Sequence, residues 1–241
     1  MSTKKTLGKI APERIRLMET PSIDADVIAR FEKLADLTGT ISDVCDLLGI
    51  VCVIPAMVLP PIHAVGRIVG PALTMRNIAR SAEVYKAVVD KHNTMGETEA
   101  HNIAKPGDVL VIEGLSGYSN MGGQSATLGK RQGEIGAVID GSIRDPDQYN
   151  KIGWPVWCRG FTPITGKWRL ETVEINGIVQ IAGVQCQAGD LVCADHAGIC
   201  IIPRAMIAQV LEMSEKNDKG DAMRQADIDK GVPLSDLKVY K

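Results

Sequence analysis

The sequence predicts an α/β fold, and three neighbouring patterns carry that expectation. "DVLVIEG" from Asp108 is a short continuous apolar run of strand length, "GGQSATLGKRQG" from Gly122 has helical spacing, and "GAVIDG" from Gly136 repeats the buried-strand pattern. Strand, helix and strand with short links make a βαβ unit, whose crossover is right-handed in nearly all proteins. Both strands therefore end at one edge of a sheet.

The other elements follow in chain order. "MSTKKTLGKIAPERIRLMET" has no apolar h-region of a secretory signal, so a cytoplasmic protein is expected. Asp26 to Leu48 reads as two short helices, with apolar residues three and four apart and Gly39 and Gly49 as stops. Pro-rich "PAMVLPPIHAVG" reads as loop and edge, and "GRIVGPALTMR" as a strand that bends at its glycines. Two helical segments lie between Ser81 and Ala104, broken near "HNTMGE" and ended by the turn "KPGD". "DPDQ" has the form of a helix start, with Asp145 at the N-cap, Pro146 at N1 and Gln148 at N3. Past Pro155, "PVWCRG", "ETVEING", "IVQIAGVQCQAGD", "LVCADHAG" and "ICIIP" read as short strands punctuated by glycine. "RAMIAQVLEMSEKN" closes a single domain over 1–218 as an amphipathic helix, and 219–241 reads as a polar tail or an arm laid on a neighbour.

Composition limits the function classes. A chain of 241 residues, 45% hydrophobic and 23% charged, with mean hydropathy +0.03, is globular and long enough for a substantial core. Formal net charge −2 and pI near 6.1 give no field to hold a polyanion, so no nucleic-acid partner is expected. No apolar run approaches the ~20 residues of a membrane span. The six cysteines (Cys45, Cys52, Cys158, Cys186, Cys193, Cys200) contain no C-x-x-C pair, as expected of unpaired thiols in a reducing compartment. Cys193 and Cys200 lie in apolar runs as small hydrophobes; joined by His196 they would form an irregular zinc set, the weaker reading.

Chemistry is expected where the two strands end. The first runs into "EGLSGYSNMGGQSATLG", where glycines would let a ligand approach the N–H groups of a helix start. The loop fits neither a P-loop nor G-x-G-x-x-G, and a plain tight connection stands beside the anion-site reading. The second strand delivers Arg144 and Asp145 to the same edge. A guanidinium holds a carboxylate bidentately, and a carboxylate facing a pocket can hold a divalent cation. Helix capping by Asp145 is the competing reading, compatible with the first because a carboxylate has two oxygens.

The ordered set "VGPALT", "KPGDVLVIEG", "GGQSATLGKRQGEIGAVIDGSIRD", "RGFTP" and "AGDLVCADHAGICIIP", spread over roughly Leu34 to Pro203, resembles the RraA-like superfamily. That group includes metal-dependent 4-hydroxy-4-methyl-2-oxoglutarate/4-carboxy-4-hydroxy-2-oxoadipate aldolases and a non-catalytic regulator of ribonuclease E. The resemblance implies an α/β sandwich with a swivelling β/β/α core, assembled as homotrimers or homohexamers with the site at a subunit boundary. It also implies that Arg144 and Asp145 bind pyruvate and a Mg²⁺ or Mn²⁺ ion, and that Gly122, Gly123, Gln124 and Ser125 contact the 2-oxo acid through main-chain amides. One position departs: where the aldolases carry an acid that orders the metal's waters, this chain has Gly123. Regulator-type members tend to lose the metal-binding Asp, which is kept here.

The activity this implies is a metal-dependent lyase, an aldolase or an oxaloacetate-type decarboxylase, passing through a metal-stabilised pyruvate enolate. A hydrolase or isomerase on the same scaffold, or a binding regulator, are the alternatives. With Gly123 in place of the acid, the general base is sought elsewhere. Glu113, ending a strand beside the glycine loop, is the preferred candidate; His92, Glu97, Glu99 and His101 are others, and Glu97 with His101 would more readily be a solvated pair on one helix face. Asp140 is expected to cap the turn at Gly141, and Asp195-His196 to serve turn chemistry first. Tyr149, Trp154, Trp157, Phe161 and Trp168 crowd one region, as core, subunit contact or pocket wall.

Overall fold

The computed structural model describes residues 4–62 and 66–240. The part of the Pro-rich loop at 63–65 lies outside the described residues. The N-terminal pair of helices is α1 (Ala25–Glu32), capped by the Asp24 side chain on Asp26 N, and α2 (Leu37–Leu48), capped by Asp36. Gly49 ends α2 in the left-handed conformation, as expected of a C-terminal glycine. Gly39 is no stop: it lies in the first turn of α2, where its N–H donates to Asp36 at 3.3 Å. The break falls before Asp36, because a short acid that accepts first-turn amides starts a helix more decisively than an early glycine ends one.

Strands β1 (Val53–Pro55) and β2 (Ile68–Ala79) follow, then α3 (Val84–Val89), α4 (Glu97–Ile103) and β3 (Val109–Glu113). Next come α5 (Gly123–Gln132), β4 (Gly136–Ile143), α6 (Pro146–Ile152) and β5 (Val156–Phe161). β3, β4 and β5 are parallel neighbours, so the expected βαβ unit is present and a second, through α6, extends it. The remaining strands are β6 (Leu170–Ile175), β7 (Ile178–Ile181), β8 (Val184–Gln187), β9 (Leu191–Ala194) and β10 (Gly198–Ile202). The main sheet runs β1-β10-β9-β2-β3-β4-β5, with β6 also on β2 and β7-β8 as a separate hairpin. β2 joins the halves: Ile68 to Pro71 pair with β9, and Ala72 to Arg76 with β3. Gly70 lets the strand pass close to the turn at Gly107: a Cβ there would sit 2.3 Å from the Gly107 carbonyl oxygen, and the strand's irregularity falls instead between Arg76 and Asn77.

Alternation along the parallel strands feeds two cores. Leu110, Ile112, Ala137 and Ile139 pack with Ala100, Ile103, Ala126 and Tyr149 from α4, α5 and α6. Val109, Val111 and Val138 pack instead with Val179, Ile181 and Val184 of the β7-β8 hairpin. Burial on both faces is why these strands read as unbroken apolar runs. A third cluster joins α1, α2 and the last helix, α7 (Ile207–Asp229), to β9 and β10. No helix among the described residues is long and apolar enough to cross a membrane.

The expected tail from 219 is corrected. α7 continues to Asp229, and the segment after it returns along that same helix. The Tyr240 hydroxyl donates to Asp227 at 2.6 Å and Arg224 donates to the Lys238 carbonyl at 2.9 Å. Polar composition concealed a helix whose buried side is only one narrow stripe.

Asp108, beneath the start of β3, is 1% exposed, and burial pushes its carboxyl up to about 6. A raised folded-state pKa means the native protein binds the proton more tightly than the unfolded chain, so this group's stabilisation is present at low pH and lost as pH rises through about 6. Asp108→Asn is therefore expected to be more stable than the wild type by about 3 kcal/mol at pH 7, the gap closing by about pH 4. Paired thermal melts at the two pH values check this; a gap that widens on acidification refutes it.

Candidate active site

β4 ends at Ile143, and the chain then turns sharply through Arg144 and Asp145 into α6. Asp145 holds the left-handed conformation, φ 61 and ψ 49, unusual for a residue that carries a Cβ and precedes proline. Its carbonyl accepts Gln148 N at 3.0 Å, so it occupies the N-cap position of α6, yet its side chain makes no cap bond there. The carboxylate turns instead to the other helix: Asp145 Oδ2 accepts Gly123 N at 3.1 Å and lies 3.4 Å from Arg144 Nε. The expected capping by this side chain is thus corrected. The backbone spends conformational energy to aim the carboxylate at the start of α5.

Both glycines of α5's first turn have a steric reason. A Cβ on Gly122 would lie 3.0 Å from both Arg144 Nε and Asp145 Oδ2, so its absence lets the pair rest on the backbone. A Cβ on Gly123 would meet Gln148 Cβ at 2.5 Å. The space an acidic side chain would need at 123 is filled by Gln148, whose amide donates to Thr127 Oγ1 at 3.1 Å. Gly122 at the N-cap offers no side-chain cap, and of the first-turn amides Gly123 N serves Asp145. The amides of Gln124 and Ser125 are donors the helix itself cannot use. The helix end, a guanidinium and a carboxylate therefore share one mouth, with the Arg144 and Asp145 side chains 35% and 50% exposed.

The loop before α5 is fixed by Asn120, which the sequence reading passed over. This buried side chain donates to the carbonyls of Leu115 (2.8 Å) and Ser142 (3.0 Å) and accepts from Leu115 N (3.2 Å). A Cβ on Gly114 or Gly141 would lie 2.4 Å from its side-chain atoms. Arg144 N donates to Met121 O at 3.2 Å, and the buried Tyr149 hydroxyl reaches the same carbonyl. An asparagine flanked by glycines in a loop is the only sequence signal this hub leaves.

Glu113 and Asp140 are not brought to that mouth. They are register partners on the hairpin face of the sheet. Glu113 pairs with Arg76 at 3.1 Å and accepts Gln180 N at 2.8 Å; Asp140 pairs with Arg159 and accepts Ala182 N at 2.6 Å. Both carboxylates pin the β7-β8 hairpin, which corrects the preferred base at Glu113 and the turn cap at Asp140: strand alternation sends them to the face opposite α5. Asp195 accepts from Ala197 N, the turn role expected of it, and also from Thr38 N and Oγ1, which ties that turn to the start of α2; His196 is exposed nearby. Glu99 accepts Leu7 N and Lys9 N, holding the N-terminal segment, while the His92 carbonyl accepts Arg80. Burial pushes the Glu97 carboxyl up, and its Oε2 has no partner.

His101 overturns its reading as half of a solvated pair. It is 1% exposed, with Nδ1 2.7 Å from Glu134 Oε1 and Nε2 2.8 Å from Ser125 Oγ. Tyr149, Trp154 and Trp157 are core residues, while Phe161, 54% exposed, stands beside the end of β4, where Thr162 N donates to Ile143 O. Cys193 and Cys200 are buried cross-strand partners, and among the described residues no group of three His, Cys, Asp or Glu side chains could hold a metal. The zinc set is thereby excluded. For a hard divalent ion the donor set at the mouth is one carboxylate, Asp145. That fits Mg²⁺ or Mn²⁺, which keep waters and take substrate oxygens beside one or two protein carboxylates.

A family model described as RraA-like, Aldolase/RraA, matches residues 38–201. A relative from Halalkalibacterium halodurans named "Putative 4-hydroxy-4-methyl-2-oxoglutarate aldolase" is 28% identical over 211 residues, covering 87% of this chain and 91% of its own. One of the same name from Albidiferax ferrireducens is 29% identical over 150 residues, covering 60% and 83%. A crystal structure of an uncharacterized protein from Pseudomonas syringae pv. tomato superposes with a TM-score of 0.75 at 24% identity, covering 91% of this chain and 95% of that one. Streptomyces coelicolor RraAS2, described as an unusual member of the RNase ES inhibitor RraA protein family, gives 0.66 at 22% identity, covering 88% and 99%. These two likenesses concern the fold.

Proposed function

Because the chain belongs to the RraA-like family, we propose that it is a divalent-metal-dependent carbon–carbon lyase that releases pyruvate from a 2-oxo acid. One observation carries the reading: Arg144 and Asp145 converge on the Gly122-Gly123 backbone at the start of α5. Arg144 can pair with the C1 carboxylate, and the Gln124 and Ser125 amides offer neutral donors to the same head group. When held by Asp145, Mg²⁺ or Mn²⁺ supplies Lewis-acid stabilisation of negative charge on the keto oxygen. Asp145 keeps its orientation through Gly123 N, so little rearrangement accompanies the change in charge.

Aldol cleavage and β-decarboxylation both produce pyruvate enolate, and only the first must also remove a hydroxyl proton. Gln148 fills the place of the acid beside Gly123, which favours decarboxylation of an oxaloacetate-type acid as the reaction this mouth supports most directly. The partner is a small 2-oxo acid, and a homotrimer or homohexamer closes the open mouth. The test is pyruvate release, above the metal-only background, from oxaloacetate and from 4-hydroxy-2-oxo acids such as 4-hydroxy-4-methyl-2-oxoglutarate. Release that requires Mg²⁺ or Mn²⁺ supports the lyase; no release from any of them refutes it and leaves a regulator or another chemistry on this scaffold.

A further inference from the structure

The second half of α2, the middle of α7 and the returning C-terminal segment enclose a cavity of 590 Å³. Its size falls within the range of about 300–1,000 Å³ that small-molecule sites occupy. α2 and α7 pack against β9 and β10, so the cavity stands on the half of the sheet that does not carry the Arg144/Asp145 mouth. The lyase reading makes no use of it. We propose that this cavity binds a linear aliphatic diamine, its carboxylates taking the two ammonium groups and its apolar residues covering the methylene stem.

The charge of the lining is one-sided. Asp43, Asp46 and Asp221 stand there against a single ammonium, that of Lys216. Among the described residues none of the three acids enters an ion pair or a side-chain hydrogen bond, whereas Glu215 and Asp218 of the same α7 are taken up by Arg30 and by Ala35 N. The placement on α2 sharpens the point. Asp46 lies in the last turn of α2 and Asp43 one turn before it, where the helix's own carbonyls gather negative charge, and that last turn holds no basic residue. Acids at that end work against the helix until a cation meets them.

The rest of the lining is apolar. Leu47, Met213 and Val239 contribute side chains, and Leu47 and Val239 are 70% and 68% exposed. An inorganic cation would satisfy the acids and leave this surface wet, while a hydrocarbon would cover the surface and strip water from unpaired carboxylates. A diamine serves both. Carboxylates on two helices, α2 and α7, call for a charge at each end of the stem.

The wall that carries Val239 is a docked segment. Gly220 is buried inside α7, and a Cβ there would lie 2.4 Å from the Tyr240 carbonyl oxygen. Glycine is a poor helix former, so its place in mid-helix has its reason in that close approach. The bonds from Tyr240 to Asp227 and from Arg224 to the Lys238 carbonyl hold the same segment.

Calorimetric titration of the full chain with 1,5-diaminopentane at low ionic strength tests the proposal. Wild type is expected to bind at a single saturable site, and added salt to weaken it. Asp43→Asn with Asp46→Asn, and separately Leu47→Ser with Val239→Ser, are each expected to bind about 10-fold more weakly, with melts confirming that they fold. Two analogues separate the contributions. 1,3-Diaminopropane has the same charges on a stem shorter by two methylenes and is expected to bind about 10-fold more weakly; 1,5-pentanediol has the stem without the charges and is expected not to saturate. No saturable binding of 1,5-diaminopentane by wild type overturns the proposal, as does undiminished binding by either double variant. Equal affinity for 1,3-diaminopropane would leave an acidic patch only, and equal affinity for the diol an apolar groove only; each result overturns it.

Discussion

Asp145→Asn is expected to lose at least about 10³-fold in kcat/KM while melting at or slightly above the wild-type temperature. The two effects separate because two properties of Asp145 separate. Its backbone sits at φ 61 and ψ 49, a conformation that asparagine tolerates at least as well as aspartate. Its Oδ2 accepts Gly123 N, a bond an amide oxygen can keep. What asparagine cannot keep is the charge that would hold a divalent cation and balance Arg144, whose Nε lies 3.4 Å away. Asp145→Ala should lose the same activity and about 1–2 kcal/mol of stability as well, since alanine keeps the left-handed backbone but loses the bond to Gly123 N. Mn²⁺ titration, steady-state kinetics and melts on the three proteins check this. An asparagine variant with wild-type kinetics would show that the carboxylate is a structural tie only.

The parts of this molecule that local periodicity encodes were readable from the sequence. The β3-α5-β4 unit, the helix stop at Gly49, the turn at Gly107 and the delivery of Arg144 and Asp145 to one edge each depend on residues within a few positions of one another. What escaped depends on contacts that sequence spacing does not encode. Glu113 and Arg144 both stand near strand ends at one edge, but the register shift in the β4-β5 pairing between Ile139 and Ser142 interrupts the simple alternation by which their faces would be compared. His101 finds Glu134 33 residues away and Ser125 24 residues away. No helix-face argument within α4 reaches either of them. The helical continuation of α7 to Asp229 was hidden for another reason: past Asn217 the helix buries little besides Gly220, so the apolar period fades before the helix does.

Gly123→Asp introduces an acid where the family resemblance leads one to expect it, and alone it is expected to destabilise the protein by about 3 kcal/mol rather than to improve it. The obstacle is Gln148, whose Cβ stands 2.5 Å from where the new Cβ must go, with Asp145 Cβ a further neighbour at 3.2 Å. Because the clash is with a Cβ on helix α6 and not with a flexible side-chain end, Gly123→Asp with Gln148→Ala should remain destabilised. Gly123→Asp with Gln148→Gly should recover most of the loss, less the ~1 kcal/mol that glycine costs a helix. In that double variant two carboxylates share the mouth, repelling each other until a divalent cation enters. Its Mn²⁺ affinity should therefore exceed that of the wild type, and Mn²⁺ should raise its melting temperature more. Calorimetric titration of Mn²⁺ and melts across the four proteins decide the matter. A Gly123→Asp variant as stable as wild type would mean that α6 yields freely, and that the glycine has no steric reason to be there.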